Sequence, residues 1–594
     1  MKVLRKLVTA LLLVSMVAGL LTGCTGGGSN NSSKPAESSK AAESSKAAES
    51  STTTDANKGT EEFTDDTKKS DLAGVYPIEG DLTFTYWVPI SSGALNYINS
   101  YAENIAYQKR AEMTGVTIDF WHPPVGSESE NFNLMITGGE YADIIEQVNY
   151  FADGEDAGIK KGIFLKMNDL VAQFAPAYSE IIRMNEDVRK ESVTDEGNFR
   201  GFGMISSDST ANGGTDHTPC IENPWTGVQW NTEYLEACNI AEAPDSIPEW
   251  EAAFAAFKEM DPECTPLLIW GNNSGNQGYA STDGAVITAF GIAPGWYQEN
   301  GEVKYGFYDE RYKDYLALIK SWFDKGYIHK DFSSMDGTTA KTIWLAGKAG
   351  CFWQDGTGDA LVLKNNGFKT WTGARTPSLE EGGEAPKWGY KNYWIRGYFT
   401  LVTTKCAHPE EATRWLDWGY TQDGYETMNF GRTDGPVSAE GAAIQTPTYT
   451  GFNEEGEALY APLYSDNNYA MWDAYNSVIR MHNGCYLKSD RRSNPRRFSG
   501  INKDLEAMRI IWEAQAEEYT QLLPNITLTA DEGSESATIM ADIEAFVKEW
   551  SVGFINGTKD LEKDFPKYME TIKGMNIARA IEIRQNALAR YNAR

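Results

Sequence analysis

Between Leu82 and Ile145 the sequence alternates between two periodicities, and this constrains the fold more than any other stretch. Leu82-Thr-Phe-Thr-Tyr-Trp-Val88 alternates apolar and polar residues as a half-buried strand does, and Pro89 ends it. The next run, LNYINSYAENIAYQKRAEMTG, carries Leu95, Ile98, Tyr101, Ala102 and Ile105 on one helical face, with Gly115 as its stop. Val116 to Phe120 reads as a second strand, Glu130 to Ile136 as a second helix, and Ala142 to Ile145 as a third strand. A β-α-β-α-β order predicts a parallel sheet covered by crossover helices. In such sheets ligands gather beyond the carboxyl ends of the strands. Trp87 and Pro89 stand at one such end, and Gln147, Asn149 and Tyr150 at another.

The mixture continues downstream. PEWEAAFAAFKEMD is helical, with Trp250, Phe254 and Phe257 at helical spacing, and LLIWGNN reads as a strand running into a polar loop. RYKDYLALIKSWFDKGYI is a helix, and KAGCFWQDGTGD is a strand opening into a Gly/Asp loop. YKNYWIRGYFTLVTT is strand-like and HPEEATRWLDWGY helical. IMADIEAFVKEWSVGFING is an amphipathic helix, and the last segment is helical with a break near Gly574. At 594 residues the chain exceeds one small core, so two or more lobes are expected.

The start of the chain belongs to another class of sequence. Lys2, Arg5 and Lys6 precede an apolar stretch, Leu7 to Leu21, of 15 residues. A spanning helix needs roughly 20, so residues 1–23 read as an export signal. Leu21-Thr22-Gly23-Cys24 resembles the bacterial lipobox, which implies a diacylated Cys24. Two acyl chains give stable anchoring where one is marginal. Residues 24–79, with the repeat AESSKA over Ala36 to Ser51, are too polar to offset ordering entropy and read as a linker.

The formal charge of −31 argues against nucleic acid and against anionic lipid surfaces as partners. Beyond Cys24 there are six scattered cysteines without a C-x-x-C pair, so free thiols are expected. The five histidines form no metal motif, no G-x-S-x-G elbow is present, and GNNSGNQG lacks the lysine of a phosphate loop. No catalytic residue, metal or cofactor is expected.

Several segments, in this order, resemble the family 1 extracellular solute-binding proteins of bacterial ABC importers, in the long lipoprotein branch of Gram-positive bacteria. They are TYW, TGVTIDF, NLMITGGEYADII, HPEEATRWLDWGYTQDGYETMNFG and FING…DFPKYMETIKGMNIARAIEIRQNALARY, spread from about residue 80 to 594. One departure is Ala142, where the family usually has proline. The resemblance implies an α/β, two-lobe, type II periplasmic-binding-protein-like clamp with hinge crossings. Its expected lobes are 80–205 plus 366–432 and 206–365 plus 433–594, with crossings near Gly201–Ser206, Asn366–Thr376 and Gly431–Pro436. DEGNFRG at 195–201 lacks the alternating carboxylates of a calcium loop found in some relatives.

A sugar offers C–H faces and hydroxyls, which aromatic planes and planar polar side chains complement. On that chemistry the expected ligand-binding residues are Trp87, Gln147, Asn149, Tyr150, Trp270, Asn272, Asn273, Trp353, Gln354, Asp355, Trp394 and Arg396. Trp225 and Trp472 are weaker candidates, and Trp230 is expected to pack in a core. The implied protein is a lipid-anchored monomeric receptor on the outer face of the membrane, passing a carbohydrate, most naturally an oligosaccharide, to permease subunits. The rival readings are a tethered glycoside hydrolase, and a receptor for a peptide or another small organic molecule.

Overall fold

The computed structural model describes residues 63–151, 153–207, 217–221, 224, 226–270, 286–355, 371–431, 449–452, 458–460, 479–480, 484–489 and 502–594. They fall within one unit, Thr54–Arg594. Cys24 and the export signal, Trp225, Asn272, Asn273, Trp472 and the side chains of Gln354 and Asp355 lie outside the described residues.

The strands, in chain order, are β1 (Leu82–Trp87), β2 (Val116–Trp121), β3 (Ile144–Glu146), β4 (Phe202–Ser207), β5 (Thr226–Trp230), β6 (Thr265–Leu267), β7 (Trp296–Glu299), β8 (Glu302–Tyr305), β9 (Ala349–Asp355), β10 (Thr372–Ala374), β11 (Ile395–Val402), β12 (Tyr449–Phe452), β13 (Ala458–Tyr460) and β14 (Leu487–Ser489). The helices that matter below are α1 (Ile105–Thr114), α2 (Glu128–Gly138), α3 (Pro176–Arg183), α4 (Gly337–Leu345), α5 (Pro409–Asp417), α6 (Asn502–Ala516), α7 (Ala530–Ile555) and α8 (Ile577–Ala593).

Two sheets carry the two lobes. The first has the order β14-β4-β11-β3-β1-β2 and the second β10-β5-β9-β6. In the first sheet β1, β2 and β3 are mutually parallel, β11 runs against β3 and β4, and β14 is parallel to β4. The expected β-α-β-α-β opening is therefore present, with α1 joining β1 to β2 and α2 joining β2 to β3. Local chemistry sets the limits of α1: the Asn104 side chain accepts the Ala106 and Tyr107 amides at its start. Gly115 ends it at φ +72, where an added Cβ would meet Pro77 Cβ at 3.1 Å. The helix begins ten residues later than Leu95, because two short 3-10 turns, Ala94–Asn96 and Tyr101–Glu103, take up the first part.

The first core runs from Phe63 through the β1 residues Phe84 and Tyr86 to Tyr486 and Leu487. Its start corrects the expected linker. Phe63, the only large apolar residue between Thr25 and Ser70, is fully buried, and its ring meets Phe199 edge-on at 5.2 Å. The second core holds Trp230, Trp250, Phe254 and Trp322 together with Met540 to Ala580 of the last helices. Trp230 stands against Trp250 at 5.2 Å, a packing residue as expected. None of the six described cysteines forms a disulfide.

Two strand placements revise the lobe boundaries. Thr372–Ala374 pairs antiparallel with Trp230–Val228 and so belongs to the second sheet, and the return to the first sheet occurs between Ala374 and Ile395. Leu487–Ser489 pairs with Ile205–Ser207, which puts β14 in the first sheet although 433–594 was expected in the second lobe. The next described element, α6, packs against β10 of the second sheet. The LLIW strand lies earlier than expected, since β6 runs from Thr265 to Leu267 and Leu268–Trp270 continue beyond it.

One ionic cluster ties the lobes together. Asp195, in a loop of the first, is bonded by Arg590 Nε at 2.5 Å and by the Arg594 guanidinium, both from the end of α8. Arg590 also makes a two-pronged bond to Glu532 of α7, at 3.0 and 2.6 Å.

Two buried carboxyls make stability depend on pH. Asp417, at the end of α5, accepts the Tyr178 amide at 2.8 Å and the Ala177 amide at 3.3 Å, capping α3. Glu191 accepts the Ile395 amide at 2.9 Å where β11 begins. Burial raises each pKa to about 7. The folded protein then keeps protons that the unfolded chain loses from about pH 4 upward. Stability from these groups is fully present below about pH 4 and falls as pH rises to about 7, by up to about 1.4 kcal/mol per pH unit for each. Urea unfolding midpoints at pH 5, 6, 7 and 8 should fall in that order, and Asp417→Asn should flatten the slope.

Candidate functional site

Strand direction decides which residues the lobes turn toward each other. The chain leaves the first sheet from the carboxyl ends of β4 and β14 and re-enters it at the amino end of β11. Because β1, β2 and β3 run the same way as β4, their carboxyl ends share that edge. In the second sheet β5 begins and β10 ends at the crossings. Thr226 of β5 pairs with Asp355 of β9, and β6 is parallel to β9, so Asp355 and Trp270 share the corresponding edge.

The expected site residues sort accordingly. On the first edge stand Trp87, Gln147, Asn149, Tyr150, Trp394 and Arg396; on the second stand Trp270, Trp353 and the backbone of Gln354 and Asp355. Their exposures differ. Trp87 is 2% exposed, donates its indole N–H to Asn131 Oδ1 at 3.0 Å, and meets Phe132 and Tyr150 edge-on. Its ring supports Tyr150 and offers no face to a ligand. Asn149 is exposed, while Tyr150, Trp394 and Arg396 are half-buried. Trp270 and Trp353 are buried, on opposite sides of the second sheet: Trp270 belongs to a small third core with Leu268 and Met335, and Trp353 to the second core.

Tyr150 lines an open pocket of about 680 Å³ with Glu128, Glu130, Asn133 and Leu134 of α2. Leu134 is 66% exposed there. Burial, then the Glu128 charge and Tyr398, raise the Tyr150 hydroxyl pKa above its ordinary value, so it stays a neutral donor and acceptor at physiological pH. Gln147 leads into this turn at φ +63, a left-handed conformation that non-glycine residues adopt at a cost of about 1–2 kcal/mol.

What holds that turn in place has no signal in the sequence. The Glu146 carboxylate, fully buried, takes Arg480 Nη2 at 2.6 Å and the Tyr86 hydroxyl at 2.6 Å. The Arg480 guanidinium also bonds the Tyr101 hydroxyl and lies 4.5 Å from the Tyr101 ring centroid. The two ends of this pair are 334 residues apart. Among the described residues, no three His, Cys, Asp or Glu side chains gather as metal ligands.

Removing one partner of a buried ion pair strands the other charge. Arg480→Ala is therefore expected to lower unfolding free energy by about 3–5 kcal/mol in guanidinium titrations. The double variant with Glu146→Gln should recover part of that loss, because the stranded carboxylate is then gone.

No family model matches the chain. It is 21% identical over 274 residues to the polygalacturonan/rhamnogalacturonan-binding protein YtcQ of Bacillus subtilis, a match covering 45% of this chain and 49% of that one. It is 24% identical over 260 residues to lipoprotein LipO of the same organism, covering 40% and 44%. The chain thus spans about half the length of these curated relatives. Among solved structures, it is similar to an ABC-transporter-associated solute-binding protein from Bifidobacterium longum infantis that binds HMO. That likeness has a TM-score of 0.66 at 15% identity and covers 86% of this chain and 99% of that one. Sequence relatives and the two-lobe α/β fold thus agree with the motifs, and the protein these features describe is similar to the family 1 extracellular solute-binding proteins of bacterial ABC importers.

Proposed function

We propose that the protein is an extracellular receptor, anchored through Cys24, that captures an oligosaccharide between its lobes and presents it to the permease of an ABC importer. The observation that carries this reading is the convergence of strand ends. Both sheets bring strand ends to the edges where the chain crosses between lobes, with Asn149, Tyr150 and Trp394 at the first, and a ligand seated there can touch both lobes. A ligand that contacts both lobes favours their closed arrangement by its differential affinity, so closure needs no covalent chemistry. The names of YtcQ and of the Bifidobacterium protein support a glycan as the ligand class. In this reading the first lobe extends to Ser207 and resumes from Ile395 to Ser489. The second takes Thr226–Ala374 and Asn502–Arg594, and the receptor works as a monomer. Tyr150, Asn149, Trp394 and Arg396 contact the ligand from the first lobe, and the ends of β6 and β9 from the second.

Titration against an oligosaccharide library should give saturable one-to-one binding and a rise in Tm, with no glycan shortened after prolonged incubation. Product release at catalytic amounts of protein would replace the receptor reading with a hydrolase. Cys24→Ala should move the protein from the membrane fraction to the medium while its glycan affinity stays the same. Retention at the membrane would remove the lipid anchor from the reading.

A further inference from the structure

At the lobe-facing edge of the second sheet a strong donor is left without an acceptor. Trp270 is 7% exposed, and its indole Nε1 has no hydrogen-bond partner among the described residues. Burying an N–H without a partner costs free energy, and such groups are few in native proteins. Trp230, Trp344, Trp353 and Trp415 share this state. Place separates Trp270 from them. Trp353 also stands near the second edge but faces the second core, on the other side of the sheet, where Trp230 lies; Trp415 is in the first core, and Trp344 is in the last turn of α4.

The Trp270 donor lies beside the opposite end of α4. A Cβ built on Gly337, the first residue of that helix, would stand 3.8 Å from Trp270 Nε1. The helix ends at Leu345 and β9 starts at Ala349, so α4 descends from the edge to which β9 returns. Its amino end therefore shares the lobe-facing edge with Trp270. Asp336, Gly337, Thr338 and Thr339 are all exposed there. The Asp336 carboxylate caps the helix, accepting the Thr339 amide at 2.7 Å.

This corner pairs an unused buried donor with an exposed acceptor. One group satisfies both: a hydroxyl, whose oxygen accepts from the indole while its hydrogen goes to the carboxylate. A carboxylate ligand would meet the Asp336 charge at a helix end whose capping role that residue already fills. We propose that Trp270 Nε1 and the Asp336 carboxylate form a hydroxyl-binding subsite on the second lobe, which takes an uncharged sugar unit of the oligosaccharide. The subsite rests on the receptor reading above and adds the chemistry of one contact to it.

The test uses the whole protein with two matched series of probes, neutral gluco-, galacto- and manno-oligosaccharides and their uronate counterparts, followed by calorimetry and Tm. Trp270→Phe keeps the ring and removes the donor. It should weaken the tightest-binding neutral probe about tenfold while leaving the ligand-free Tm equal or higher, since an unpaired buried N–H has gone. Trp344→Phe removes an equally unpaired donor at the other end of α4 and should leave affinity unchanged. Asp336→Asn preserves a capping side chain and should weaken the same probe several-fold. Affinity unchanged in Trp270→Phe, affinity raised in Asp336→Asn, or wild-type binding confined to the uronate series overturns the subsite and leaves the receptor intact. No binding of either series by the wild type overturns the receptor reading, and the subsite with it.

Discussion

One constraint organises this protein: five strands of the first sheet run in one direction and β11 alone runs against them. The chain leaves a strand only at its carboxyl end and enters only at its amino end. With that polarity, two exits and one entry fall on the same edge of the sheet. The second sheet answers with β5 starting, and β6, β9 and β10 ending, on the edge that faces the crossings. No side chain has to be chosen for function to bring this about. Function then requires only that the loops beyond these ends carry suitable side chains.

On the first edge, the suitable side chains depend on a buried charge pair. Glu146 sits on the last residue of β3, and the turn that follows contains Gln147, Asn149 and Tyr150. A left-handed Gln147 persists only where its surroundings over-determine it. The pair of Glu146 with Arg480, reinforced by two tyrosine hydroxyls, supplies that determination. It also fastens the stretch before β14 to the tip of β3. The edge strand and the site-bearing turn are thereby one structure. A burial that costs desolvation is retained where it fixes an arrangement, and here the arrangement is the rim of the proposed site.

Much of this was legible, and the failures have physical causes. The strand–helix alternation from Leu82 to Ile145 could be read because each element there is periodic and locally capped, as Asn104 and Gly115 show for α1. The pause near Gly574 was likewise local, since the helix stops at that residue and Asn576 turns left-handed at φ +69 before α8. Strand partners were not legible. Thr372–Ala374 is three residues long, too short for a period, and only its pairing with β5 assigns it a lobe. Phe63 looked like noise in a polar linker, yet a single aromatic can anchor a chain when a core pocket receives it. The expected site residues were placed at strand ends from connectivity alone; β1, β3 and β9 end beside them, whereas β6 stops three residues before Trp270 and β11 begins at Ile395, between Trp394 and Arg396. Whether a given ring faced outward depended on packing that no spacing reports.

Tryptophan shows that limit most clearly. The chain has 18, and rings chosen for their fit to sugar faces prove to be largely used up by the cores. Trp87, Trp270 and Trp353 are each less than a tenth exposed. A ring in that state cannot stack on a pyranose, because both faces already touch protein. It can still act through its indole N–H, the one polar atom that packing does not satisfy by itself. Trp87 has spent that donor on Asn131, whereas Trp270 has not. Two tryptophans that look alike in the sequence, each closing a strand, therefore differ in what they can offer. The difference lies in whether a neighbouring side chain happens to accept, and only the folded chain decides that.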